Sequence, residues 1–212
     1  MELRSDNFAD GEPIPLEFAF GRSDPVKRIA LSRNRNPHLA WTDPPPGTRS
    51  FALICHDPDV PSAMDDVNQE GREVPCSLPR MTFYHWILFD LPPEVRTIEP
   101  GSHSDGIVAR GKPGPQAPGG YLHGTNDYGK WFSGDPDMRG EYHGYDGPCP
   151  PWNDSIVHHY NFTLYALDVA HLHVDGALTG PNVTAALRGH VLAQVTLVGM
   201  YSLNSRLISG TT

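Results

Sequence analysis

The chain of 212 residues carries 22 prolines, 21 glycines and a formal net charge of −9, from 16 Lys plus Arg against 25 Asp plus Glu. That many breakers of regular structure exclude a long-helix bundle or coiled coil. The acidic balance excludes a nucleic-acid surface, which needs a basic face to displace counterions.

In chain order, Ile14 to Phe20 and Leu39 to Thr42 offer short edge strands. Ser50 to Cys55 (SFALIC) and Thr82 to Phe89 (TFYHWILF) are nearly continuous apolar runs near prolines, which predicts strands buried on both faces. Between them, residues 63–80 form a polar, acidic insertion. Residues 101–155 hold 12 glycines and 7 prolines, with Ile107, Val108 and Leu122 as the only branched aliphatics. So long a stretch without periodicity is expected to be a functional loop region, held by Tyr121, Tyr128, Trp131, Phe132, Tyr142, Tyr145 and Trp152. A third strand is predicted over His159 to Asp168. A helix follows from Pro181 to about Ala193, where Val183, Leu187 and Val191 recur on one face, Thr179 or Gly180 caps and Pro181 sits at N1. It leads into a fourth strand, Val195 to Leu203. The length fits one domain over residues 1–212.

No apolar run is long enough to span a bilayer, and the N-terminal residues lack the apolar core of a secretory signal. Cys55, Cys76 and Cys149 are scattered and odd in number, so reduced thiols in a cytoplasmic protein without integral membrane association are expected. The sequons beginning at Asn153, Asn161 and Asn182 are then chance matches.

Three stretches concentrate polar chemistry beside the strands. His56-Asp57-Pro58-Asp59-Val60-Pro61-Ser62 reads either as a rigid turn or as a stiff corner presenting two carboxylates at a strand end. Alternation along the second strand puts Phe83, His85, Ile87 and Phe89 on one face and Tyr84, Trp86, Leu88 and Asp90 on the other, which buries His85 among apolar neighbours. In Gly144 to Tyr160 (GYDGPCPPWNDSIVHHY), prolines stiffen a loop that ends on a strand. There His158, Tyr160, Phe162 and Leu164 share the more apolar face and His159 lies opposite, so His158 with Tyr160 is the preferred pair. His171-Leu172-His173 reads as a solvated loop. No P-loop, G-x-S-x-G elbow or H-E-x-x-H is present.

DPDVPS, the later HW, and GYDGPCPP followed by HHY and FTLYALD stand in the order of the phosphatidylethanolamine-binding protein family. The chain resembles its bacterial and archaeal Raf-kinase-inhibitor-like (YbhB/YbcL) branch from about Ile14 to Leu203. The resemblance implies a mainly β fold: a central antiparallel sheet, a smaller second sheet and a few short helices, one near the C-terminus. It also implies a small anion pocket at one end of the sheet. Carried over residue by residue, Asp57, Asp59, His85, the loop Gly147-Pro148-Cys149-Pro150-Pro151, His158 and Tyr160 surround that pocket. The expected ligand is anionic or zwitterionic, phosphate or phosphoethanolamine: His85 and His158, if protonated, donate to phosphate oxygens, and one aspartate either holds a histidine charged or meets the ammonium. The resemblance further implies a non-enzymatic role, no cofactor, a kinase or protease as regulated partner, and a homodimer. Two other readings stay open: a His/Asp-dependent hydrolase of a small phosphate or ester, and a metal protein using His85, His158 and Asp57.

Overall fold

In the computed structural model, which describes residues 1–208, the four apolar runs become four long strands of one sheet. The strands in chain order are β1 (Glu2–Arg4), β2 (Glu12–Pro13), β3 (Gly21–Asp24), β4 (Arg28–Leu31), β5 (Leu39–Thr42), β6 (Ser50–Pro61), β7 (Arg80–Leu91), β8 (Thr97–Ile98), β9 (Leu122–His123), β10 (His158–Leu167) and β11 (Val191–Tyr201). The main sheet has the order β2-β11-β10-β6-β7-β9. It is antiparallel except for the two-residue parallel pairing of β2 with β11. A smaller sheet, β1-β5-β8, and the hairpin β3-β4 complete the strands. The fold is mainly β, as expected. Among the described residues, no helix is long and apolar enough to cross a membrane.

Both faces of the main sheet are covered, which is why its strands read as unbroken apolar runs. Phe51, Leu53, Trp86, Leu88, Phe162 and Leu164 pack with Leu39, Trp41 and Ile98 of the smaller sheet. Full burial of side chains this size contributes about 1.5–3 kcal/mol each. On the other face Ala52, Ile54, Ile87 and Phe89 meet Leu172, Val183 and Leu187. The last two belong to the segment of helix α2 (Gly180–Ala186) and its C-cap; the other helices are α1 (Tyr128–Trp131) and α3 (Ser205–Ile208). Gly180 is fixed by packing, since a Cβ there would sit 2.2 Å from Cγ of Tyr84.

Several predicted elements change in the structure. The helix expected to reach Ala193 ends at Ala186. Gly189 then turns the chain at φ 84°, and Val191 already starts β11. Its start is as predicted: Thr179 accepts from the Asn182 N–H at 3.4 Å, and Pro181 lies in the first turn. Ile14 to Phe20 is no strand. Pro15 fixes the backbone ahead of a 3₁₀ turn at Leu16–Phe18, so pairing stops at Pro13. Leu39–Thr42 is the middle strand of its sheet, not an edge. The His56–Pro61 stretch does not turn a corner after β6; it is the second half of β6. Asn153 is buried, and its amide donates to the carbonyls of Asp66 and Arg72, at 2.8 and 3.1 Å. That side chain clips the 63–80 insertion to the body.

Candidate functional site

The site grows from two irregularities in the pairing of β6 with β7. Tyr84 pairs with His56 and Trp86 with Cys55, so His85 is an extra residue, a β-bulge. The bulge breaks the alternation. Trp86 and Leu88 join one core while Tyr84, Ile87 and Phe89 join the other, and His85 turns toward Tyr160 with ring centroids 5.1 Å apart. The expected sharing of a face by His85, Ile87 and Phe89 is therefore corrected. A second shift, between Asp57 and Val60, lets β6 carry its prolines inside a paired strand.

Where β6, β7 and β10 converge lies a cleft of about 160 Å³. Phe20, Ile29, Val60, Pro61, Met64, Val67, Phe83, Trp131, Phe132, Pro150 and Pro151 wall it, with Asp57, Asn68, His85, Tyr128, Cys149, His158 and Tyr160 adding polar atoms. Apolar walls with a few convergent polar groups are the usual make-up of a small-molecule site.

His158 is fully buried and held at both ring nitrogens. Nδ1 donates to Asp57 Oδ2 at 2.7 Å and Nε2 to Asp154 Oδ2 at 3.1 Å. Burial alone would lower its pKa, but the bonds to Asp154 and Asp57 overturn that and raise it to about 9. The ring is an imidazolium at neutral pH. Arg80 closes the chain with two bonds to Asp154, at 2.6 and 3.0 Å. Burial likewise opposes ionisation of Asp154, yet His158 and Arg80 hold its carboxyl below the usual range. Two carboxylates and two cations thus neutralise one another in a buried row.

His85 is the opposite case. Its Nδ1–H donates to the Asp146 carbonyl at 2.7 Å, and burial keeps its pKa below the ordinary value against the pull of the Asp57 charge. Its Nε2 is therefore a lone pair on a residue that lines the cleft. The Asp146 carboxylate takes bonds from Asn34, Asn126 and Lys112, at 2.7, 2.8 and 2.9 Å, and so anchors the strand of loop that orients His85. Cys149 is an unreactive thiol in this setting, its pKa pushed up to about 12 by burial.

Of the residues singled out from sequence, Asp57, His85, Pro150, His158 and Tyr160 meet at the cleft together with Cys149 and Pro151. Asp59, Gly147 and Pro148 do not line it. The Asp59 carboxylate faces the opposite side, accepting from the backbone N–H and Nδ1 of His159 at 2.9 and 2.8 Å. Gly147 and Pro148 work as anchors. The Gly147 carbonyl accepts from the Tyr128 hydroxyl at 2.7 Å, and the Pro148 carbonyl from the N–H groups of Phe20 and Gly21 at 2.9 and 3.0 Å. Without ligand, both ring nitrogens of His158 are engaged by carboxylates, and burial biases His85 toward its neutral form. Asp154 and Arg80 were not foreseen. Asp154 stands four residues before His158, a spacing that signals contact on a helix but not in a loop entering a strand.

A second cavity, about 320 Å³, opens among the 101–143 loops. His103, His123 and His143 line it beside Lys112. Burial pushes His103 down to about 4, and burial with the nearby His103, Lys112 and His143 pushes His123 down to about 3. His171 and His173 are exposed, but Leu172 between them is buried in the second core, so the stretch is only partly a solvated loop.

The family model described as "Phosphatidylethanolamine-binding protein" matches residues 4–202. The UPF0098 protein YbhB of Escherichia coli is 31% identical over 202 residues, covering 95% of this chain and all of that protein. A UPF0098 protein of Methanothermobacter thermautotrophicus is 30% identical, covering 95% of this chain and 98% of that protein. Among solved structures, that of E. coli YbcL, titled a new member of the mammalian PEBP family, aligns with a TM-score of 0.66 at 25% identity. It covers 95% of this chain and 97% of that one.

Proposed function

The chain belongs to the phosphatidylethanolamine-binding protein family, and from that membership and the chemistry of the cleft we propose a non-enzymatic binding protein for a small phosphorylated ligand, such as a phospholipid headgroup. The observation that carries the proposal is the neutral, outward Nε2 of His85 set beside a self-neutralised Asp57–His158 pair in an apolar-walled cleft. A fully ionised phosphate next to the Asp57 carboxylate is repelled. A phosphate monoanion is not disfavoured in the same way, because its P–OH can donate to Nε2. The ammonium of phosphoethanolamine suits the Asp57 carboxylate. Binding is then linked to one proton, carried in by the ligand or taken up at His85.

Two features favour binding over hydrolysis. The histidine that has an orienting carboxylate, His158, has no free nitrogen to act as a base, and the Cys149 thiol in the cleft is held protonated. Three unpaired cysteines support a reducing, cytoplasmic setting. The family resemblance extends the proposal to a regulated kinase or protease and to a homodimer, to be read by inhibition assays and by solution mass.

Calorimetric titration with phosphoethanolamine at pH 5.5 and pH 8 tests the reading. Tighter binding at the lower pH is expected, with about one proton taken up between buffers of different ionisation enthalpy. NMR signals of His85 and His158 that stay unshifted at millimolar ligand would sink it. Turnover of a phosphomonoester or ester panel, abolished by His85→Ala, would favour the hydrolase instead.

A further inference from the structure

We propose that Asn68, which the 63–80 insertion carries to the wall of the first cleft, is a ligand-binding residue that selects for phosphate: its side-chain Nδ2 donates to a phosphate oxygen of the bound molecule. The assignment rests on the phosphorylated ligand proposed above and names a residue that holds it. The need for such a donor comes from the cleft itself. Both ring nitrogens of His158 are taken by carboxylates, the Nδ1–H of His85 by the Asp146 carbonyl, and the Tyr128 hydroxyl by the Gly147 carbonyl. Among the described residues that line the cleft, the Tyr160 hydroxyl and the Asn68 amide are the side-chain O–H and N–H donors left without an acceptor.

Asn68 is held so as to present that amide. Its backbone lies at φ 57°, a left-handed turn that Asn adopts more readily than most residues with a side chain. Its N–H donates to Asn153 Oδ1 at 2.9 Å, and its own Oδ1 accepts from the Trp152 N–H at 3.0 Å. The second bond fixes which end of the amide is oxygen, because a backbone N–H needs an acceptor. Nδ2 is the end left over, on a half-buried residue that lines the cleft. Asn153 in turn donates to the carbonyls of Asp66 and Arg72, so one buried side chain fixes the loop on both sides of Asn68. The charge of the insertion does not oppose an anion as its composition suggests. Of its four acids, Asp66, Glu70 and Glu73 are paired with Arg72, Arg28 and Arg206, at 2.6, 2.7 and 2.6 Å. A neutral amide also matches a phosphate monoanion: the P–OH donates to His85 Nε2, and the remaining oxygens are acceptors for Asn68 and Tyr160.

Asn68→Asp is the variant that tests it. It keeps a residue that tolerates the left-handed turn and an oxygen for the Trp152 N–H, and it replaces only the NH₂ group by a charged oxygen. Calorimetry with phosphoethanolamine at pH 5.5 should show a Kd at least about tenfold weaker in the variant, the size of a lost hydrogen bond to a charged group. The His85 and His158 ring signals of the ligand-free variant should stay at their wild-type positions, which a merely structural role of Asn68 would not allow together with that loss. In the unaltered chain the Asn68 side-chain amide, identified by NMR as the pair of signals missing from the variant, should shift with phosphoethanolamine and with inorganic phosphate. Equal Kd values in the two chains overturn the assignment and leave the binding reading standing. So does an Asn68 amide that stays in place while the histidine signals report binding. An unaltered chain that binds no phosphoethanolamine overturns both. If Asn68→Asp does not fold, the amide shift, assigned through Asn68→Gly, decides.

Discussion

His158 and the His103–His123 pair are buried histidines in one fold, yet they sit in opposite charge states. At His158 two carboxylates converge on the ring and hold it charged, with a pKa near 9. Around His103 and His123 no carboxylate touches either ring, and burial holds them neutral, near 4 and 3. Burial by itself therefore decides nothing about a histidine beyond a tendency to lose its proton. What decides is whether a second charge is buried with it. One region of the molecule stores a fixed, compensated charge, and the other pairs two uncharged rings with each other.

The sharpest way to break the contrast is Asp154→Ala. It takes from Arg80 its carboxylate partner and leaves His158 with Asp57 alone, and removing one partner of a buried pair costs about 3–5 kcal/mol. Urea unfolding at neutral pH should show a loss of that size, and a loss below 1 kcal/mol would mean that the row is not coupled.

Next in size is the pH profile of stability. His158 has a folded pKa of about 9 against 6.5 for a free histidine, which corresponds to a contribution on the order of 3 kcal/mol. That contribution is fully present below about pH 6.5 and lost as pH rises through about 9. His103 and His123 act in reverse. Their folded values are depressed, so their contribution is present above 6.5 and lost as pH falls toward about 4 and about 3. Urea midpoints across pH should peak near 6.5, and Asp57→Asn should flatten the alkaline side while leaving the acid side in place. A wild-type profile that is level from pH 6.5 to 9 contradicts the charged state of His158.

The smallest effect sharpens the comparison by adding solvent. Asp59 and His159 form a third pairing, bonded at 2.8 Å, with the His159 side chain half exposed. Asp59→Asn should cost no more than about 0.5 kcal/mol, because water answers what the buried pairs must answer for themselves. A loss as large as that of Asp154→Ala would remove the distinction between the regions.

The sequence made the long strands legible because each is buried on both faces and so written in continuous apolar residues. The face shared by His158, Tyr160, Phe162 and Leu164 was legible too, since β10 alternates without interruption until Ala166. The rest depended on contacts that sequence spacing does not encode. Asp154 and Arg80 lie 74 residues apart and meet because β6 holds the start of β7 and the approach to β10 side by side. Asp59 looked equivalent to Asp57 in DPDVPS, but the pairing shift between Asp57 and Val60 accompanies a split in which Asp57 meets His158 and Asp59 meets His159. The helix after Pro181 is shorter than its spacing predicts because Val191 continues the spacing of Val183 and Leu187 but pairs with Leu167 instead.

The bulge at His85 shifts the reading frame of β7 between Phe83 and Leu88, ahead of a second shift before Leu91. Ahead of it, odd-numbered positions, Phe83 and His85, face the cleft; beyond it, even-numbered positions, Trp86 and Leu88, fill the core beneath the same face. A tolerance map of this strand would therefore show a phase slip between residues 85 and 86. Removing one residue there would not shorten the strand so much as put the segments on either side of His85 back in step, presenting a core side chain to the cleft or a cleft side chain to the core. The ligand-facing half and the packing half can drift in composition separately, but not in length.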